Sequence, residues 1–358
     1  MDSGLYAGRL AQRTSHASGG SRALLVGLGK IGDLVLLTPV LRALRARQPG
    51  IEIHVLAGLR NHQVLAGHPG IDRVHVYPGR PLDALPLMYR LHRERFDFWL
   101  DPKDHHSYTS RLLVRMARPA VSVGFNGDPQ GRCGSRGCFT HGLPGHLDNH
   151  QAHASKRALN AVAALGIPAD DPRPWLGVAP EAEREFAGFR CRHCLDRFAL
   201  VNISAQRPER RWRSDDWIRL IRGLEFRDLP VLVTALPADS EEAERVVASR
   251  ARTFFYQTRS VADLLPAVRD ANFVVTVDTG VVHIASAFDT PIVALYANAS
   301  VQFDKYRPLS RLCQSVIGSG ASNRVADIPL HHVASAVGSL RAALSCATRP
   351  SGRLVPVA

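Results

Sequence analysis

The sequence predicts an α/β protein of two Rossmann-like domains facing a central cleft, and three observations carry that prediction. Short apolar runs of strand length alternate with helical patterns in two separate series. A Gly-rich turn opens the first series, and an Asp-Thr-Gly turn follows a strand late in the second. The 358 residues suffice for two domains of roughly 150 to 180 residues, each burying its own core.

Taken in order, residues 1–21 are polar, contain Gly and Ser and lack periodicity, so a mobile leader is expected there. The fold is expected to begin at Arg22, with a strand at 23–26, a glycine turn, and a helix over 33–47. Apolar runs at 51–56, 74–77, 96–100 and 121–125 continue the theme and define an N-terminal domain over 22–165. Beyond residue 126 Gly, Pro and His surround one helical stretch at 151–165, and 166–197 is expected to be a linker. The second series places strands at 198–203, 231–234, 253–256, 273–277 and 292–295. Helices are expected near 214–224, 239–249, 261–269 and 281–288, and one at 331–345 packs back to close a C-terminal domain over 198–345 before a tail at 346–358. Strands alternating with helices imply parallel sheets covered on both faces. Ligands of such sheets sit at the carboxyl ends of the strands, so the residues just after each strand are where chemistry is to be sought.

Composition narrows the partners. With 45% hydrophobic and 22% charged residues and a mean hydropathy of -0.08, the chain is an ordinary globular one. No stretch approaches the roughly 18 apolar residues of a membrane-spanning helix, and residues 1–22 lack a charged-then-apolar signal pattern, so a cytoplasmic location is expected. Six cysteines are too few for a disulfide scaffold. Lys and Arg number 45 against 32 Asp and Glu, a net +13, which points to anionic partners: nucleic acid, phosphorylated small molecules or an acidic membrane surface. Nucleic acid is set aside, because no RRM, KH or helix-turn-helix signature is present and Asp33 and Asp278 would repel a phosphate backbone.

Three motifs stand at strand ends. Gly27-Leu28-Gly29-Lys30-Ile31-Gly32 matches a dinucleotide fingerprint, but the carboxylate needed about 20 residues later is absent from Leu56-Ala57-Gly58-Leu59-Arg60. Asp33, next in line, either caps the helix or serves as a general base for an acceptor hydroxyl. In Asp278-Thr279-Gly280-Val281-Val282-His283, an apolar strand delivers Asp278 and Thr279 to a helix start whose amides suit an anion, with His283 one turn on. The loop from Ser204 to Arg213 holds four arginines after another strand, either a solvated basic loop or a pyrophosphate clamp. Cys133, Cys138, Cys191 and Cys194 are either separate loop thiols or a four-thiolate zinc clip.

Gly32-Asp33 followed by Leu37-Thr38-Pro39, Arg210-Arg211-Trp212 with Trp217, and Asp278-Thr279-Gly280-x-x-His283-x-Ala285 with Pro291 resemble glycosyltransferase family 9, the lipopolysaccharide heptosyltransferases, from about Arg22 to Ser345. The resemblance implies a GT-B fold and an inverting, metal-independent transfer of heptose from ADP-heptose to inner-core lipopolysaccharide, with no cofactor. Asp33 would be the catalytic base, Arg210 or Arg211 would face the donor phosphates, and Asp278, Thr279, Gly280 and His283 would cradle the pyrophosphate. Ser204 would join the donor site, and Glu241 would correspond to the acid near the nucleotide ribose. The acceptor would be an anionic glycolipid, reached from a peripheral position on the anionic inner membrane surface by a monomeric enzyme, with Tyr77, His105, His106 and Arg111 as candidates to lie near it. Three departures are visible, one of them the cysteine pairs Cys133/Cys138 and Cys191/Cys194, which are not associated with the family. Both basic residues before Trp212 are arginine where the family usually has a lysine, and Tyr296 is followed by Ala297 rather than glycine.

Overall fold

The structure, a computed structural model, describes residues 20–127, 137–143, 152–298, 301–318 and 323–347. The chain forms two compact units. The first takes the described residues up to Glu185 together with 260–265 and 301–307, and the second takes the remainder from Phe186 onward. Segments 260–265 and 301–307, expected in the C-terminal domain, thus group with the first unit. Most of the expected leader, Cys133 and the tail from 348 lie outside the described residues.

The first unit contains β1 (Arg22–Gly27), α1 (Ile31–Val35), α2 (Thr38–Arg47), β2 (Glu52–Gly58), β3 (Arg73–Tyr77), α3 (Leu85–Glu94), β4 (Phe98–Leu100), α4 (Tyr108–Ala117), β5 (Val121–Gly124), β6 (His141–Gly142) and α5 (Ala154–Ala163). Its strands pair in parallel in the order β3-β2-β1-β4-β5-β6. Strand β1 therefore lies in the middle, buried on both faces, and its sequence is an unbroken apolar run rather than an alternating one. Leu24, Val26 and Trp99 from the strands meet Leu87, Met88 and Leu91 of α3 and Leu113 and Val114 of α4 in one core. The Leu37-Thr38-Pro39 motif serves the fold. Pro39 sits in the first turn of α2, and buried Thr38 receives the Trp175 amide on Oγ1 (3.0 Å) and the indole N–H on its carbonyl (2.9 Å).

The second unit follows with α6 (Pro180–His193), β7 (Ala199–Asn202), α7 (Ser214–Arg222), β8 (Val231–Thr234), α8 (Ser240–Ala248), β9 (Thr253–Phe255), α9 (Val261–Asp270), β10 (Phe273–Val277), α10 (Gly280–Phe288), β11 (Ile292–Tyr296), α11 (Val301–Tyr306), β12 (Cys313–Ile317) and α12 (Leu330–Ala347). Of these helices, the first turns of α6 and α9 and the whole of α11 group with the first unit. The strands pair in parallel in the order β12-β11-β10-β7-β8-β9. Trp212 and Trp217 meet edge to face with centroids 4.8 Å apart inside this core, and the Trp212 indole N–H donates to the Ile328 carbonyl (3.0 Å).

Helix α6 corrects the reading of 166–197 as a linker. Its sequence has few apolar positions and a weak helical period, yet Glu181 and Glu183 stand in the first turn and Arg190, Arg192 and His193 in the last, as the helix dipole favours. Phe186 anchors it, packing on Phe198 (5.9 Å) and Tyr256 (5.2 Å). Strands β6 and β12 also go beyond the sequence expectation. The first is two residues long, and the second is only half-buried and reads as a mixed polar run.

Among the described residues, no helix is long and apolar enough to cross a membrane. Also among them, the His, Cys, Asp and Glu side chains near enough to share an ion are His54, His75 and Glu94. These are already satisfied: His75 Nε2 meets His54 Nδ1 (3.0 Å), His54 Nε2 meets Glu52 (2.7 Å), and Glu94 pairs with Arg22 and Arg73. The group contains no cysteine; Cys191 and Cys194 are exposed on the second unit.

Three buried histidines of the first unit are fixed in the neutral form. His68 and His153 each accept a backbone amide on Nδ1, from Gly70 and Ser155, while Nε2 donates to the carbonyl of Trp175 or Arg307. Burial, above all, pushes His68, His75 and His153 down to about 4. An unfolded chain takes up these protons near pH 6.5, so stability is full above that value and falls between pH 6.5 and 4. Each group contributes a slope of up to about 1.4 kcal/mol per pH unit. Asp101, whose carboxyl burial pushes up, acts in the opposite sense but is one group against three. Thermal unfolding followed from pH 8 to pH 4 should give a falling midpoint across this window, and a flat profile would contradict the assignment.

Candidate active site

In each sheet the chain starts at a central strand, winds to one edge, returns, and winds to the other. The switch point lies between β1 and β4 in the first unit and between β7 and β10 in the second. At such a point neighbouring loops diverge and leave a crevice at the carboxyl ends of the strands.

In the second unit the Ser204–Arg213 loop leaves β7, and Asp278, Thr279 and Gly280 leave β10. Asn202, buried at the end of β7, donates to Thr276 Oγ1 on β10 (3.0 Å) and to the Ser204 carbonyl (3.2 Å), so the two strand ends are locked before they diverge. Buried Ser204 accepts the Leu236 amide on its hydroxyl (2.8 Å), which ties in the loop after β8. Arg210 turns to β10: its Nη1 reaches Asp278 Oδ2 at 2.9 Å and the Asp278 carbonyl at 3.1 Å. Arg211 turns to the loop after β8, where both terminal nitrogens engage Asp239 (2.8 and 3.2 Å) and Nε donates to the Ala205 carbonyl (3.0 Å). Three loops are therefore stitched together by one hydroxyl and two guanidinium groups.

The arginines differ in what they leave available. Among the described residues Arg211, 39% exposed, spends all three nitrogens on the protein, whereas Arg210, 32% exposed, uses Nη1 alone. Thr279 caps α10, its hydroxyl accepting the Val281 amide (3.4 Å), and Gly280 opens the helix. His283 is buried one turn on, and Asp278 is half-buried. Tyr296, at the end of β11, is buried; burial first, and the negative charge of Asp278 second, push its hydroxyl well above the usual phenol range. Ala297, the departure after Tyr296, is half-buried against the hydrophobic core.

Glu241 lies in the first turn of α8, exposed, while Asp239 of the same acidic run is buried and holds Arg211. Sequence reasoning alone does not single out Asp239 or Asn202. The signal for Asp239 is its place after a strand, before a helix; choosing it over its acidic neighbours requires knowing which one turns inward.

In the first unit Asp33 stands in α1 just after β1. Its Oδ2 accepts the Lys30 amide (2.8 Å), so the helix-capping reading holds; Oδ1 makes no hydrogen bond with the described residues. The glycines serve this packing. A Cβ on Gly29 would stand 2.7 Å from Asp33 Oδ2, and one on Gly27 would stand 2.3 Å from Leu34 Cδ1. Where a dinucleotide fold needs its carboxylate, buried Asn61 appears instead, donating to the carbonyls of Gly27 and Gly29 (2.9 Å each) and accepting the Gly58 amide (2.8 Å). Across the switch point Asp101 follows β4, fully buried; burial pushes its carboxyl up, against Lys103 and Ser110. His105 is exposed and His106 meets Tyr108 edge to face with centroids 4.3 Å apart. Tyr77 and Arg111 belong to the interior: Tyr77 is in the core, and buried Arg111 donates to the carbonyls of Asn126 and Gly127.

Comparison with known proteins shows the family. The model of glycosyltransferase family 9 (heptosyltransferase) matches residues 85–328. Lipopolysaccharide heptosyltransferase 3 of Escherichia coli strain K12 is 23% identical over 283 residues, covering 74% of this chain and 79% of that protein. A glycosyl transferase family 9 structure from Veillonella parvula DSM 2008 superposes with a TM-score of 0.74 at 19% identity over 90% of this chain and 97% of that one. The E. coli ADP-heptose lps heptosyltransferase II structure gives 0.73 at 20% identity, over 92% of this chain and 100% of that one. The chain therefore belongs to glycosyltransferase family 9, the heptosyltransferases, and is a glycosyltransferase of the GT-B fold.

Proposed function

We propose that the protein transfers a heptose from ADP-heptose to the inner core of lipopolysaccharide, with inversion at the anomeric carbon. The observation that carries this reading is the carboxyl edge of the second sheet, where Arg210, the capped N-terminus of α10 and Ser204 converge at the switch point and Arg210 engages the described residues through Nη1 alone. Cationic and amide donors in such a crevice suit a pyrophosphate.

The step is a single displacement. Oδ1 of Asp33 takes the proton of the acceptor hydroxyl as its oxygen bonds to the anomeric carbon, and the bond from that carbon to the diphosphate oxygen breaks with its electron pair leaving on ADP. Arg210 and the amides following Thr279 stabilise the charge that develops on the leaving group, so guanidinium and helix-end donors supply what a metal supplies elsewhere, and the reaction runs without metal or cofactor. His283 and Asp278 complete the cradle; Asp278 also keeps Arg210 in place. Arg211 acts by shaping the loop around Ser204, and exposed Glu241 is offered to the nucleotide ribose. The acceptor is an anionic glycolipid met from the cytoplasmic side at the inner membrane surface by a monomer, in keeping with the +13 balance.

Thermal unfolding with ADP, UDP, CMP and NAD in parallel tests the donor. ADP alone should raise the midpoint, since a ligand at 100 times its dissociation constant adds about 2.7 kcal/mol; a response to UDP or CMP alone would move the donor to another nucleotide sugar. Asp33→Asn should lower kcat by roughly 10²- to 10⁴-fold with ADP affinity unchanged. Asp239→Asn should release Arg211 and raise the donor KM by roughly tenfold, about 1.4 kcal/mol, with a much smaller effect on kcat. Equal losses in KM and kcat would remove Asp239 from that positioning role.

A further inference from the structure

We propose that the outer faces of α3 and α4 together form a surface that lies on an anionic lipid bilayer. Leu82 (80% exposed), Leu85 (56%) and Tyr89 (64%) recur at spacings of three and four, which puts them on one stripe along α3 and the turn before it. Tyr108 (61%), Leu112 (41%) and Met116 (46%) make a second stripe on α4. The two helices share one core through Leu87 and Leu91 on one side and Leu113 and Val114 on the other. The His92 imidazole meets the Met116 carbonyl (3.1 Å), so their C-terminal ends lie level. Large side chains clustered this way on a soluble surface mark an interaction site rather than ordinary exposure.

Charge selects the occupant. Arg90 and Arg93 on α3 and Arg115 on α4 are exposed, and none takes part in an ion pair among the described residues. Arg93 lies over the Tyr89 ring at 5.8 Å, combining the cationic and apolar parts of the surface. Helix α4 has no acidic residue, and Glu94 at the end of α3 is neutralised by Arg22 and Arg73; Asp83 is the exposed acid nearby. Apolar stripes flanked by arginines fit the interface of a bilayer with negative headgroups. A second copy of the same face would bring arginine against arginine, which disfavours self-association. Both helices begin at the carboxyl edge of the first sheet, the edge that carries Asp33 and Asp101, so Leu82, Leu85 and Tyr108 stand toward the side of the proposed base, with the arginines toward the other end of the helices. In purpose, though not in its observations, this assignment rests on the lipid-borne acceptor proposed above.

Flotation of the full chain with phosphatidylcholine vesicles, with and without a large fraction of phosphatidylglycerol, tests the assignment. The wild type should bind the anionic vesicles and be released by salt. Replacing Leu85, Tyr89, Leu112 and Met116 by Ser should weaken partitioning by at least roughly tenfold. Arg90→Gln with Arg93→Gln and Arg115→Gln should abolish the preference for anionic lipid. Because all seven side chains are exposed, both variants should keep the thermal midpoint and the shift produced by ADP. Absence of binding by the wild type, equal binding to neutral vesicles, undiminished binding by the Ser variant, or sedimentation as a dimer that the Ser variant abolishes would each overturn it. Vesicle binding lost in the Ser variant, with no response to ADP in any form, would sustain the surface and sink the transferase reading instead.

Discussion

The organisation of the second unit depends on two adjacent arginines being drawn to different carboxylates. Backbone geometry alone would leave the segment after β7 as a polar loop with four competing cations. Asp278 draws Arg210 to β10, and Asp239 draws Arg211 to the loop after β8, so the segment is stretched across the mouth of the switch point. Half-exposed ion pairs of this kind contribute little to stability individually. Their worth lies in direction, since a guanidinium fork fixed at one edge presents its other edge to whatever enters. Asn202 works beneath them, joining β7 to β10 with one neutral amide where a charge would be costly.

The first unit solves the corresponding problem with an amide. A glycine turn between a strand and a helix ordinarily aims its N–H groups outward, yet here its carbonyls are gathered inward by Asn61, and the room that a cofactor would need is filled by Asp33 folding back on Lys30. One oxygen of that carboxylate maintains the turn while the other makes no hydrogen bond with the described residues. The capping contact and the proposed catalytic role thus fall to two different atoms of one side chain, so the two readings of Asp33 do not compete.

The alternation of apolar runs made the two parallel sheets legible, because central strands such as 273–277 are buried on both faces and cannot disguise themselves with polar residues. Strand-end motifs were legible for the same reason: a turn after such a strand is sharply marked. What stayed hidden was what tertiary contact alone decides. Helix α6 has a charged surface and one deep anchor, Phe186, so its period was too faint to read. The choice of Asp239 over Glu241 depends on the direction of a single helical turn, and Arg111, a candidate for the acceptor by its place in the sequence, is held by the carbonyls of Asn126 and Gly127.

The repeated winding of the two sheets has an evolutionary consequence. Each unit sets the loops at its own strand ends with a buried amide, Asn61 in one and Asn202 in the other. If the first unit holds the acceptor, as proposed, changes in the loops after β1 to β5 leave the contacts of Asn202, Arg210 and Arg211 around β7 and β10 as they are. Substitutions that alter acceptor choice are then expected to gather in the first unit and those that alter donor choice in the second.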